Sequence, residues 1–423
     1  MKNHFIIKIT LGLIWWQMSA LILPDNALAH PVSASKSRSV SSSAPTHLKA
    51  NCKSLIHAIL AKDVAQVKTL LKKVSINCVD RNPDRRKVAD LYKSGAYYIE
   101  DPETPWGAAA RVGNVSIGKL LVAAGADIRF RGPDDPPALF IAAAFGRLEY
   151  VKYLLGLGLS PTQMTPNHGT PLIMAATRGR TSVVKYLLTK GSRLNFTTSN
   201  QGNALIAAAN NGHTETVKFL LAKGADINRI SPNQGNALIV AANNGQTETV
   251  KYLLAKGANI NQISPNQGNA LIAAANNGNT ETVKLLLAKG ANINQISPNQ
   301  GNALIAAANN GHTETVKFLL EKGANINLIS PNQGNALIAA ANNGNTETVK
   351  FLLKKGANIN LVSNNQGSAL IAAVNNHHIE TAKFLLEKGA DPYAEAPDGS
   401  NAFEVARKSR HRAMMKLLKK YTK

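Results

Sequence analysis

One line of sequence, repeated, constrains this chain more than anything else in it. Residues 202–234 read G-N-A-L-I-A-A-A-N-N-G-H-T-E-T-V-K-F-L-L-A-K-G-A-D-I-N-R-I-S-P-N-Q. The line restarts with few changes at Gly235, Gly268, Gly301 and Gly334, each 33 residues after the last. A looser copy starts at Gly367, and weaker ones start at Gly169, Pro136 and Glu103. A fixed period of this size marks a stacked array, in which no single unit buries its apolar face alone. A globular chain of 423 residues would often divide into about two or three domains. An array need not, because each unit contacts only its neighbours.

Within one unit, Ala204 to Asn210 is rich in helix formers, and Asn203 is placed to cap that helix. Asn211-Gly212 follows, with Gly suited to the left-handed residue after a helix. Thr214 is placed to cap a second helix, and Glu215 sits near its positive end. Val217, Leu220 and Leu221 recur at i, i+3, i+4 and form one apolar stripe. Lys218 and Lys223 fall toward the negative end, and Gly224 closes the helix. Ile227 to Gln234 is a polar, turn-rich connection. Stacking is expected to bury Leu205, Ile206, Val217, Leu220 and Leu221 against the same positions next door. The sequence thus predicts an all-α solenoid of stacked helix-turn-helix units with loop or β-hairpin tips.

This unit resembles the ankyrin repeat in length, helix pair and loop. The closest matches are G-A-D-I-N at Gly224 to Asn228 and V-K-F-L-L at Val217 to Leu221. The family's T-P-L-H helix start survives as Thr170-Pro171-Leu172-Ile173 and partly as Thr104-Pro105. Elsewhere it reads Asn-Ala-Leu-Ile, as at Asn203 to Ile206, so the His that usually ties neighbouring repeats is replaced by Ile and packing must do more of that work. The resemblance implies a non-enzymatic protein-binding scaffold that works through loop tips and a concave helix face. With the amino-terminal segment described next, the repeat style suggests a bacterial periplasmic or secreted protein.

In chain order, residues 1–29 read as a secretory signal. Lys2 and Lys8 precede an apolar run, and Ala27-Leu28-Ala29 predicts cleavage after Ala29. Residues 30–50 are Ser-rich and aperiodic, a flexible leader. Residues 51–78 are a degenerate capping repeat flanked by the only two cysteines, Cys52 and Cys78. In an antiparallel helix pair the start of the first helix lies near the end of the second. An exported protein meets an oxidising compartment, so a Cys52–Cys78 bridge is expected. Residues 79–102 interrupt the period. They carry Arg85, Arg86, Tyr92, Tyr97 and Tyr98, and Trp106 opens the next unit. Arg, Tyr and Trp are common anchors at interfaces, which makes these six residues candidates for partner binding. Nine repeats fill 103–399, and 400–423 is a final cap.

The net charge is +23, but its placement matters more. The cap at 400–423 holds eight cations against the single acid Glu404, and 169–201 holds five cations and no acid. The five near-identical repeats of 202–366 together sum to only +5. That is not the basic groove that tracks nucleic acid, and no nucleic-acid partner is expected. Attraction of the ends to an anionic envelope surface is an alternative. No nucleophile elbow, phosphate loop, dinucleotide fingerprint or H-E-x-x-H motif occurs, so neither an enzyme nor a cofactor or metal is expected. The interchange of His213 and His312 with Gln246, Asn279 and Asn345 at one repeat position suggests an exposed polar slot. The pair His377-His378 is the only adjacent one with metal-ligand chemistry.

Repeated amides are the one unusual feature. Asn210-Asn211 and Asn233-Gln234 recur down the array and predict polar ladders. They are either capping and turn chemistry copied by duplication or a grip for a repetitive polymer such as a glycan. The column Arg229, Gln262, Gln295, Leu328, Leu361 is one of few that vary, and Arg229, Gln262 and Gln295 join the partner-binding candidates. The expected role is a monomeric scaffold for a protein partner. A glycan or envelope binder, and an effector exported against another cell, are the alternatives.

Overall fold

The computed structural model describes residues 51–79, 104–129, 136–165, 169–198 and 201–421. The signal, the leader and the insertion residues Arg85, Arg86, Tyr92, Tyr97 and Tyr98 lie outside them. The described residues form 22 helices. Two compact units divide the chain, residues 1–160 and 161–423.

The first unit holds three helix pairs: α1 (Cys52–Leu60) with α2 (Val64–Leu71), α3 (Pro105–Val112) with α4 (Val115–Ala123), and α5 (Ala138–Ala144) with α6 (Leu148–Gly156). The second holds eight. They begin with α7 (Pro171–Thr177) and α8 (Thr181–Thr189), then α9 (Ala204–Asn210) and α10 (Thr214–Ala222), and then α11 (Ala237–Asn243) and α12 (Thr247–Ala255). Next come α13 (Ala270–Asn276) and α14 (Thr280–Ala288), α15 (Ala303–Asn309) and α16 (Thr313–Glu321), and α17 (Ala336–Asn342) and α18 (Thr346–Lys354). The last are α19 (Ala369–Asn375) with α20 (Ile379–Glu387) and α21 (Ala402–Lys408) with α22 (Arg412–Lys420). Within each unit, first helices pack on the first helices of the adjoining pairs, and second helices on second helices.

Local chemistry explains the helix ends. The Asn203 Oδ1 accepts from the Ile206 amide at 2.9 Å, and the same cap recurs at Asn236, Asn269, Asn302 and Asn335. Thr104 and Thr170 cap the helices that start with Pro. Gly212 and Gly224 take the left-handed conformation after the two helices, at φ of 70° and 86°. The turn that follows closes with an antiparallel bridge, Ser231 to Gly235, repeated at Ser264, Ser297, Ser330 and Ser363. The loop tips are single bridges and not strands.

The expected core is buried, with two differences. Leu205, Ile206, Val217 and Leu220 are at most 1% exposed, each contributing on the order of 2 kcal/mol. Leu221 is only half-buried, and Thr216 takes the deeper place at 1% exposure. Thr214 is not the cap of α10; the backbone cap is His213, without a side-chain bond. Thr214 instead meets the Thr249 hydroxyl of the next unit at 2.8 Å, and Thr216 meets Thr181 of the preceding one at 2.7 Å. A buried hydroxyl is tolerated there because its neighbour satisfies it.

Candidate partner-binding surface

The repeated amides face one another across unit boundaries. Asn244 Nδ2 donates to Asn210 Oδ1 at 2.7 Å, and the same step runs through Asn277 to Asn243, Asn310 to Asn276, Asn343 to Asn309 and Asn376 to Asn342. At the loop tips, Asn266 Nδ2 donates to the Pro232 carbonyl at 3.0 Å and Gln267 Nε2 to the Asn233 carbonyl at 3.2 Å. Both steps recur in the next two loops. The donors of both ladders therefore bind the neighbouring unit, which is the structural role weighed for them above.

The slot shared by His213, Asn279, His312 and Asn345 is not an exposed polar one. His213 Nε2 donates to the Thr177 carbonyl and His312 Nε2 to the Asn276 carbonyl, both at 3.0 Å. Asn279 donates to the Asn243 carbonyl, and Asn345 to Asn309 at 2.8 Å. Each side chain satisfies a carbonyl at the end of the preceding first helix, one of the groups such a helix leaves open. Burial holds the imidazoles of His213 and His312 below their ordinary value of 6.5, since a charged ring would lose its hydration there. His378 bonds Asn342 in the same way, while His377 stacks on His411 with centroids 4.6 Å apart. The two adjacent histidines are thus engaged separately.

Two of the variable-column candidates are also internal. The Asn236 cap donates its Nδ2 to Gln262 Oε1 at 2.7 Å, and Gln262 Nε2 donates on to the Asn228 carbonyl at 3.1 Å. Gln295 does the same for Asn269 and Asn261. Where the column holds Arg229, Leu328 or Leu361, the matching caps Asn203, Asn302 and Asn335 keep a buried Nδ2 with no partner. Gln262 and Gln295 are therefore fasteners between units, and of the three only Arg229 is exposed. Trp106 is a second correction. It is 2% exposed, its indole N–H donates to the Ile128 carbonyl at 3.0 Å, and its ring lies 6.1 Å from that of Tyr150. A side chain held this way belongs to the core of its unit and presents nothing to a partner.

What the array does present is a line of aliphatic side chains along the loop edge. Met164, Thr197, Ile230, Ile263, Ile296, Ile329 and Val362 share one repeat column, aliphatic at every place but Thr197. Met164 is 59% and Ile329 41% exposed, two of the four large exposed apolar side chains among the described residues. Beside Met164, a shallow cavity of about 150 Å³ is lined by Pro161, Arg193 and Phe196 among others. Ser192 Oγ ties the two loops there through the Pro161 carbonyl at 3.0 Å. Phe196 stands in the same variable column as Arg229 and Gln262. Periodicity could have singled out the aliphatic column, but its exposure could not be read from it, because Ile is usually a core residue.

The family comparison agrees with this architecture. The profile described as ankyrin repeats (3 copies) matches residues 106–198, 139–231, 172–264, 238–330 and 327–396. The chain belongs to the ankyrin-repeat family. Ankyrin arrays generally serve as protein–protein interaction scaffolds, typically without catalysis. The ankyrin-repeat domain of human ASB11, known from a crystal structure, is similar at 30% identity and a TM-score of 0.46, covering 53% of this chain and 99% of that one. No curated protein matches the ankyrin chain.

At the amino-terminal end of the array, Cys52 and Cys78 are joined, with Cα atoms 5.8 Å apart. They link the first residue of α1 to the segment after α2, closing the first hairpin.

Proposed function

We propose that this ankyrin protein is an exported, non-enzymatic scaffold that holds a protein partner along its loop edge. The observation that carries the reading is the aliphatic column of the loop edge, in which Met164 and Ile329 are exposed and Ile230, Ile263, Ile296 and Val362 half-buried, with Phe196 and Arg193 beside Met164. Exposed apolar side chains aligned on a rigid frame, next to an aromatic ring and a guanidinium, match the chemistry of interface anchors. The signal at 1–29 supports export, and the paired cysteines of the first hairpin suit an oxidising compartment. The glycan and envelope alternative draws less support, because the ladder amides direct their N–H donors into the array.

The test is affinity capture with the mature chain, with Met164→Glu and Ile329→Glu variants, and with a chain lacking residues 84–100. Envelope extract and purified cell-wall polymer are offered to each. A protein held by the wild type and lost from the Glu variants supports the loop-edge site. Loss only from the deletion would move the site to the insertion. Retention of polymer by every version, with no protein held, would overturn the scaffold reading.

A further inference from the structure

We infer that Asn211 is a site of self-modification, where the Gly212 nitrogen displaces the side-chain amide and leaves aspartate or isoaspartate, ahead of four other Asn-Gly steps in the same local sequence. Residues 209–214 read Ala-Asn-Asn-Gly-His-Thr. Asn244-Gly245, Asn277-Gly278, Asn310-Gly311 and Asn343-Gly344 sit in the same frame, and only the residue after Gly changes, among His, Gln and Asn. Glycine has no side chain to shield its N–H, so its nitrogen reaches the carbonyl carbon of the preceding Asn side chain with little hindrance. The new bond joins Gly212 N to Asn211 Cγ and closes a cyclic imide. The Cγ–Nδ2 bond breaks, and the proton lost by the Gly nitrogen leaves with the amide as ammonia. Water then opens the imide at either carbonyl, giving aspartate or isoaspartate with no oxidation or reduction. Because the five local sequences match, a difference in rate among them in the folded chain is set by what surrounds each one.

The folded turn opposes ring closure at all five places. Each Asn has ψ between 6° and 10°, so the Gly nitrogen eclipses the Asn backbone nitrogen, whereas the ring needs it on the Cβ side. Each Gly N–H also donates to the carbonyl three residues back at 3.2 Å, from Gly212 to Ala209 through Gly344 to Ala341. The turn must therefore open before the ring can close.

What differs is how firmly the preceding unit holds the Asn side chain. Asn244 and Asn277 each donate to two acceptors there, the backbone and side-chain oxygens of Asn210 and of Asn243. Asn310 and Asn343 each donate to one, Asn276 Oδ1 at 2.9 Å and Asn309 Oδ1 at 2.7 Å. Asn211 Nδ2 donates to the Ala207 carbonyl of its own helix at 3.0 Å and to nothing in the preceding unit. The ladder position before it is Thr177, whose hydroxyl donates back to the Ile173 carbonyl at 2.8 Å and whose carbonyl accepts from His213. Asn211 is thus the one Asn-Gly step that the ladder leaves out. Conversion places a carboxylate at the negative end of α9, and isoaspartate adds a carbon to the main chain where α9 turns into α10. The adjoining Asn210 is the acceptor for Asn244, so the change loosens the boundary between residues 202–234 and 235–267. This inference does not rest on the loop-edge reading.

Peptide mapping by mass spectrometry tests it, on the purified mature chain held in mildly alkaline buffer made with heavy-oxygen water, both folded and in urea. In urea the five steps convert at like rates. In the folded chain Asn211 converts about fivefold or more faster than Asn244 and Asn277, the ratio that one hydrogen bond supplies. Its product is a mixture of both acids that carries oxygen from the solvent. Thr177→Asn extends the ladder by one acceptor and slows Asn211 by about fivefold. Asn276→Ala removes the acceptor of Asn310 and raises the Asn310 rate by a like factor, without a new contact having to form. Equal rates at the five steps in the folded chain would overturn the inference, as would rates at Asn211 and Asn310 that neither variant moves. Aspartate without isoaspartate would overturn the ring route in favour of direct hydrolysis.

Discussion

Residues 51–156 and residues 202–366 use the same helix pair and fasten it in different ways. The first region relies on a few singular contacts. One disulfide closes α1 and α2, and one cluster packs Trp106, Tyr150 and Tyr153 with tilted rings, the two tyrosines lying against Gly118. The middle region relies on copied ones: Asn to Asn, Thr to Thr, amide to loop carbonyl and imidazole or amide to helix end. On its second helices, Lys218 also sits over the Tyr252 ring at 5.8 Å, and Lys284, Lys317 and Lys350 repeat the contact with Phe318, Phe351 and Phe384. Exposed pairs such as Glu215–Lys218 add little each. Stability in the middle is thus spread over many modest bonds, while in the first region single residues matter greatly. Near-identity of sequence also does not mean identity of energy, because one varying column decides whether a buried cap amide is satisfied.

Removing both cysteines breaks the comparison most sharply. Cys52→Ala with Cys78→Ala opens a loop of 26 residues and should cost about 3 to 4 kcal/mol, confined to the first hairpin. Hydrogen exchange in α1 and α2 would rise while that in α9 to α18 stayed unchanged; uniform loosening would contradict the concentration of stability there. Gly118→Ala comes next. A methyl there would lie 2.8 Å from the Tyr150 ring and 3.0 Å from that of Tyr153, so a loss of about 2 to 3 kcal/mol is expected in denaturant melts.

In the middle, Gln262→Leu would leave Asn236 like Asn302, with a buried donor unmet, at a cost of about 1 to 2 kcal/mol. The reverse change, Leu328→Gln, supplies the missing acceptor to Asn302 and should gain about 1 kcal/mol or less. Opposite signs from these two would sharpen the comparison, and equal signs would dismiss the column's role. The smallest effect is on pH. His213 and His312 have pKa values lowered by burial, so the unfolded chain binds their protons more readily. Their contribution is full above 6.5 and is lost as the pH falls below that value. The double change His213→Asn, His312→Asn, which copies Asn279 and Asn345, should flatten the acid limb of a stability-versus-pH curve. An unchanged slope would show that these rings titrate alike in the folded and unfolded states.

The repeat line by itself determined the fold: helix pairs from Ala204 and Val217, ends from the Asn203 cap and the Gly212 and Gly224 columns, and the family from G-A-D-I-N and T-P-L. These features are local, acting within four residues along one helix or turn, and local spacing is what a sequence displays directly. The tertiary structure alone decided the fates of Trp106, Gln262, Gln295, His213 and Thr216. Each meets a partner 22 to 36 residues away, and two side chains in one column carry no sign of which neighbour they reach. The exposure of Met164 was hidden for the same reason. Whether a position is core or surface depends on what stacks against it, and that neighbour lies a whole repeat away in the sequence.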